Sequence, residues 1–199
     1  MIGTQLTVPR EAAPAATPPF LDEALLVRDA QRDLQAFSTL YQRHAQQVYR
    51  YLLARVGNVD DAQDLASQTF LAAMQGLSSY RQEQPFIAWL LGIARHKVAD
   101  QFRRRHPEAD LDAAEWISDE SDDLDEQVSR QLEIEQVARK LQKLAPDRAE
   151  ALLLRLFGGL ETAEIAQIMG RQEAAVRMLI FRGLRDLQGQ LTVSREEGR

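Results

Sequence analysis

Cysteine is absent from all 199 residues, which removes disulfides, thiolate metal sites and cysteine nucleophiles at once. Histidine is scarce: His44, His96 and His106 are too scattered for a metal-ligand spacing, so no cofactor is expected. No apolar run approaches the roughly 18–20 residues of a membrane span. The N-terminus lacks the basic-then-apolar pattern of a secretory signal, so a cytoplasmic protein without membrane insertion is expected. Convincing strand alternation is missing too. So are a glycine-rich phosphate loop, a nucleophile elbow and a histidine–carboxylate pair at useful spacing. An enzyme acting on a small-molecule substrate is left without its chemistry.

What is present is segregated charge. The formal net charge is -6, which argues against a protein that coats nucleic acid indiscriminately. Yet the stretch from Pro107 to Gln127 holds Glu108, Asp110, Asp112, Glu115, Asp119, Glu120, Asp122, Asp123, Asp125 and Glu126 with no lysine or arginine. Without it the remainder is slightly basic. Such asymmetry implies separate surfaces with separate partners.

The chain is organised around FIAWLLGIARHKVADQFRRR, Phe86 to Arg105. Phe86, Trp89, Leu90, Ile93, Ala94 and Val98 recur at helical steps, and Pro85 stands where a first helical turn tolerates proline. The opposite face carries Arg95, Lys97, Arg103, Arg104 and Arg105, opposed only by Asp100. Arginine's planar fork suits phosphate better than lysine does.

Residues 1–20, rich in alanine, proline and threonine, read as a disordered tail. From Leu21 the pattern is helical: a short helix with Leu21, Leu25 and Leu26 inward, then a longer one marked by Leu34, Phe37, Leu40, Tyr41, Val48, Tyr51, Leu52 and Val56. Gly57 closes it as a C-cap. Asp60 or Asp61 suits an N-cap for a third helix carrying Ala62, Leu65, Phe70, Ala73 and Met74, ended by Gly76. With the basic helix these form one helical module over residues 21–106. Residues 107–124, acidic and without period, read as a flexible linker.

A second module is expected over 125–191, with a tail at 192–199. A helix restarts from Leu124 to Leu144. Pro146 begins the next, with Ala149, Leu152, Leu153, Leu156 and Phe157 inward, and Gly158-Gly159 breaks it. Thr162 to Met169 then makes a short helix ended by Gly170, and another runs from near Glu173 through Leu187. That is the helix-turn-helix plan, although many helical hairpins share it. In it the start of the second helix, here Arg171, Gln172, Glu173, Ala174 and Arg177, meets base edges in the major groove, with Arg182 and Arg185 further along. Val176, Ile180, Gly183 and Leu187 form the buried side. The expected fold is all-α, with two small helical domains joined by an acidic linker.

Two stretches resemble the bacterial RNA polymerase sigma factors of the extracytoplasmic-function group. DDAQDLASQTFLAAM, Asp60 to Met74, with the basic helix, is similar to that family's first conserved domain. LAPDRAEALLLRLFGGLETAEIAQIMGRQEAAVRMLIFRGLRDL, Leu144 to Leu187, is similar to its second. The resemblance implies a non-enzymatic initiation factor whose partners are core RNA polymerase, promoter DNA and, as a regulator, an anti-sigma factor. It implies polymerase contacts at Asp61, Asp64, Gln68, Thr69 and Phe70. Minus-ten reading falls to Tyr80, Trp89, Arg95, His96, Lys97, Gln101, Arg103, Arg104 and Arg105. Minus-thirty-five reading falls to Arg171, Gln172, Glu173, Ala174, Arg177, Met178, Phe181 and Arg182.

The chain departs from the family pattern at several positions. His96 stands where asparagine is usual, and the loop Ser79 to Pro85 lacks the usual glycine and serine. Glu161 replaces a usual serine cap, an exchange that an acid at a helix N-terminus tolerates. Met178, Leu179 and Phe181 replace polar or basic residues. Leu179 is expected to pack; Met178 and Phe181 remain open between packing, thymine methyls and a patch for a regulatory partner. Trp89, on the apolar stripe, reads first as core and second as a surface for an unstacked base. The alternative function is a stand-alone helix-turn-helix regulator, which would bind duplex DNA unaided.

Overall fold

The computed structural model describes residues 19–105, 140–141 and 143–196. The N-terminal tail, the acidic linker and most of the helix expected from Leu124 lie outside them. Among the described residues every regular element is helical. They are α1 (Pro19–Ala30), α2 (Leu34–Val56), α3 (Val59–Gly76), a 3₁₀ turn (Leu77–Ser79), α4 (Phe86–Arg105), α5 (Pro146–Leu156), α6 (Thr162–Met169) and α7 (Glu173–Glu196).

Caps explain several boundaries. Asp33 starts α2 by accepting from the Gln35 N–H at 2.9 Å, and Gly57 ends it in the left-handed region at φ 73°. Asn58, rather than Asp60 or Asp61, caps α3, its Oδ1 accepting from the Asp61 N–H at 2.9 Å. The two aspartates sit within the first turn, where their charge is favourable to the helix dipole. Pro85 precedes α4 instead of opening it, since its carbonyl accepts from the Ala88 and Trp89 N–H groups. Glu161 caps α6 reciprocally with Glu164.

Helices α1 to α4 pack as a bundle: α2 lies against α1, α3 and α4, and α3 against α4. Leu40, Val48, Leu52, Leu65, Ala73, Phe86, Leu90 and Ala94 fill it, essentially without exposure. Each aliphatic side chain so buried contributes about 1.5–3 kcal/mol. His44 is buried among them and tied to α1 by Glu23 Oε1 at 2.7 Å. Helices α5, α6 and α7 make a second, three-helix unit. There α7 crosses α5 at Gly183, where a Cβ would come 2.7 Å from Leu152 Cδ1. A side chain there would force Leu152 to move.

Several apolar positions differ from the periodic pattern. Leu25, Leu34, Tyr41, Met74 and Leu156 are exposed, and Val27 replaces Leu25 as the inward residue of α1. Helix α7 continues past Leu187 to Glu196, since nothing in that stretch stops it. Conversely, Leu91, Glu150, Ala151 and Leu154 are buried although they lie off the expected stripes. Their cover is the other unit: α5 packs on α2, and α6 on α4.

Candidate nucleic-acid interface

Three surfaces carry the candidate residues. The first is the start of α3, where Asp60, Asp61, Gln63, Asp64 and Ser67 line an open acidic depression. Asp64 is exposed and Gln68 half-buried. Thr69 and Phe70 are not on that surface. Thr69 is fully buried, its hydroxyl donating to the Leu65 carbonyl at 2.7 Å, and Phe70 lies in the core with Tyr41 edge-on at 4.7 Å. They shape the helix from inside, while Asp61, Asp64 and Gln68 reach the surface of α3.

The second surface is the outer side of α4 with the loop before it. His96, Arg103, Arg104 and Arg105 are exposed; Arg95, Lys97 and Gln101 are half-buried. Most of these cations already hold internal anions. Arg105 makes a bidentate pair with Asp61 at 2.6 and 2.7 Å. Arg103 pairs with Asp100, and Arg104 donates to the Asp100 carbonyl. Arg95 Nε lies 3.8 Å from Glu150 of α5. The pairs at Arg103 and Arg105 are exposed and contribute about 0–1 kcal/mol each, so phosphate can displace them; Glu150 is buried.

Tyr80 and Trp89 meet beside this ridge, ring centroids 5.2 Å apart, with Phe86 behind both. Both are half-buried and pack on the core. The Tyr80 hydroxyl donates to the Gln84 carbonyl at 2.5 Å. Burial, then the Glu23 carboxylate, pushes this hydroxyl from 10.0 up to about 12. Because the folded value is raised, the stability Tyr80 contributes is complete below its unfolded value near pH 10. It is lost as pH climbs through about 12. Tyr80→Phe is expected to remove one late-titrating group from the ultraviolet tyrosinate curve between those values. An unchanged curve would contradict the placement.

The third surface is α7. Gly170 adopts φ 64° and turns the chain between α6 and α7, a conformation that glycine enters without a Cβ clash. Arg171, Gln172, Glu173, Ala174, Arg177, Met178, Phe181 and Arg182 are all exposed, while Val176 is buried. Leu179 packs on the core, as expected; Met178 and Phe181 do not, Phe181 being 59% exposed. Arg171 pairs with Asp147 of α5, and Arg177 with Glu173 one turn back at 2.8 Å. Arg182 has no ion-pair partner among the described residues. This face offers cations, an amide and two apolar tips, which is the donor set for guanine, adenine and thymine edges.

Sequence reasoning missed a fourth group, at the contact between the units. Gln47, Tyr51 and Arg55, one turn apart along α2, all bond to the C-terminal unit. Gln47 Nε2 donates to the Gly158 carbonyl at 2.8 Å, the Tyr51 hydroxyl to Glu150 Oε1 at 2.8 Å, and Arg55 Nε to Glu150 Oε2 at 3.1 Å. Desolvation first, and Glu150 second, hold the Tyr51 hydroxyl well above its ordinary value. The only signal in the sequence was the four-residue spacing of three polar-tipped residues.

Comparison with known proteins matches residues 40–107 to Sigma-70 region 2 and residues 134–187 to Sigma-70 region 4. The chain is 36% identical over 170 residues to the ECF RNA polymerase sigma factor BldN of Streptomyces coelicolor, covering 81% of this chain and 63% of that protein. It is 32% identical over 163 residues to the RNA polymerase sigma factor YlaC of Bacillus subtilis, covering 80% of this chain and 94% of YlaC. Among solved structures, CnrH in complex with the cytosolic domain of CnrY aligns with a TM-score of 0.66 at 26% identity. That alignment covers 85% of this chain and 96% of CnrH, a protein known from Cupriavidus metallidurans.

Proposed function

Since this chain belongs to the sigma-70 family of RNA polymerase sigma factors, in its extracytoplasmic-function group, we propose how its surfaces divide the work of starting transcription. The start of α3 docks on core RNA polymerase through Asp61, Asp64 and Gln68. The ridge of α4, with the Tyr80–Trp89 pair, opens and reads the minus-ten element. The exposed face of α7 reads the minus-thirty-five element. The protein itself is a non-enzymatic factor working on DNA in the cell interior.

The observation that carries this reading is the pairing of two matched regions in the family's order with an exposed, cation-bearing face on each. Neither face is strong enough alone: most of its arginines are shared with internal carboxylates, and the net charge is -6. Two weak modules held on one polymerase gain by effective concentration instead. Opened DNA also needs aromatic platforms beside a cationic track, which α4 and its loop supply. A regulatory partner such as an anti-sigma factor belongs to the same reading, with exposed Met178 and Phe181 as its candidate footing.

Gel filtration and mobility-shift assays test it together. The protein is expected to comigrate with core polymerase and to shift promoter fragments only in that company. A shift by the protein alone, without polymerase binding, would point to a stand-alone regulator.

A further inference from the structure

The loop that joins α3 to α4 has little to hold its own shape. After the 3₁₀ turn at Leu77–Ser79, residues 80–85 form no regular element. Two side-chain hydrogen bonds tie the loop to the first helix instead. Gln31, the residue after α1, donates through Nε2 to the Leu77 carbonyl at 3.3 Å, and Gln82 Nε2 donates to the Ala24 carbonyl at 3.0 Å. Ala24 and Gln31 lie two helical turns apart, a rise of roughly 10 Å. The stretch from Leu77 to Gln82 could span about 17 Å if extended, so it is pinned at both points with slack between them. Tyr80 lies in that slack.

Helix α1 can serve as an anchor because it is itself fixed. A helix of 12 residues is marginal in isolation, but Val27, 1% exposed, holds this one to the core. Glu23 reaches the buried His44 of α2, its Oε1 lying 2.7 Å from Nε2. The His44 ring stands 5.5 Å from Phe86, and Phe86 stands 5.5 Å from Tyr80 and 5.6 Å from Trp89. The pair that fixes α1 thus also backs the aromatic platform. Glu23 lies near enough to the Tyr80 hydroxyl to raise it, and that hydroxyl donates to the Gln84 carbonyl further along the loop.

We infer that α1 is a brace for minus-ten reading: Gln31 and Gln82 are positioning residues that set the loop so that Tyr80 and Trp89 stand ready for an unstacked base. This rests on the sigma-factor reading, in which α4 and its loop meet that element. A loop without the brace would have to be ordered at the moment of capture, and the entropy lost would weaken binding. With the brace, that ordering is complete once the chain has folded. Both bonds end on backbone carbonyls, so they depend on the donors at 31 and 82 and not on the side chains they meet.

The test exchanges each glutamine for methionine, which keeps the length and loses the donor. Gln31→Met and the double variant Gln31→Met/Gln82→Met are compared with the parent as full-length proteins. Both positions are exposed, so the melting temperature should hold. Trypsin cleavage after the exposed Arg81, located by mass spectrometry, reads order in the loop of the free protein. It is scored on Gln31→Met, where the residues of the cut bond are unchanged. With core polymerase, 2-aminopurine fluorescence in the minus-ten element reads opening, and footprinting reads the upstream element. Gln31→Met is expected to be cut about fivefold faster, the worth of one hydrogen bond. The double variant should reach the open complex on the order of tenfold more slowly. Polymerase binding and upstream protection should match the parent, a split that loss of stability alone would not give. Opening equal to the parent's in the folded double variant overturns the brace and leaves the function standing. Failure of every form to open the promoter, the parent included, sinks the minus-ten reading instead; faster cleavage of the variant would then still keep the brace, and equal cleavage would overturn it.

Discussion

Exchanging Arg177 and Arg182 together for glutamate is expected to lower occupancy of the upstream element by on the order of 10²–10⁴-fold, since a good bidentate arginine contact is worth roughly 1–3 kcal/mol. Association with core polymerase should not change. Both side chains are exposed on α7, while Val176 is buried. Arg177 shares Glu173 in the free protein. An exposed i,i+4 pair of that kind is worth only about 0.3–0.5 kcal/mol, less than a base contact, so it yields to DNA. Footprinting of the complete holoenzyme reads the outcome as lost upstream protection with downstream protection kept. Full upstream protection by the double variant would remove α7 from promoter reading.

Phe70→Ala and Asp64→Lys are expected to fail in opposite ways, although both residues lie in the stretch assigned to polymerase. Phe70 is buried and meets Tyr41 edge-on. Its truncation leaves a cavity and should cost about 3–5 kcal/mol of stability. In a unit of this size that is a fall of tens of degrees in Tm, at roughly 4–8 °C per kcal/mol. Polymerase binding would fall with it, as a consequence of unfolding. Asp64 is exposed, so its reversal should move stability by no more than about 0.5 kcal/mol. Binding to core polymerase should nonetheless drop by tenfold or more. Thermal melts run beside a pull-down separate the two. A stable Phe70→Ala protein, or Asp64→Lys that binds normally, would contradict the division drawn here.

These variants also show where the sequence was legible. Helix α6 and the start of α7 fall where glycine punctuation put them, because Gly170 is a local signal and needs no tertiary contact. The far end of α7 was missed: the helix passes through Gly189 without a break and runs on to Glu196. The cap of α3 is Asn58, since a capping side chain must precede the first helical residue, and two aspartates nearby drew attention instead. Phe70 and Thr69 were correctly placed on α3, but a motif does not say which of its members face outward.

The harder loss was long-range. Periodicity finds one apolar stripe per helix, and α4 and α5 each have a second buried side made by the other unit. Leu91 reads as surface until Gly158 is laid against it, and Glu150 reads as an ordinary solvated acid until Tyr51 and Arg55 close on it. Nothing local marks a charged residue for burial. The cationic faces of α4 and α7 were legible because each is carried by a single helix. The contact between the units was not, since Tyr51 and Arg55 meet Glu150 across 99 and 95 residues of chain.

The central claim is that two weak readers become a promoter-specific factor only when core polymerase carries both. Run-off transcription with purified core polymerase and genomic fragments, with start sites mapped, measures this directly. Adding the protein should create discrete new starts that core polymerase alone does not make, each with protected sequence at both upstream positions. Start sites indistinguishable from those of core polymerase alone would contradict it.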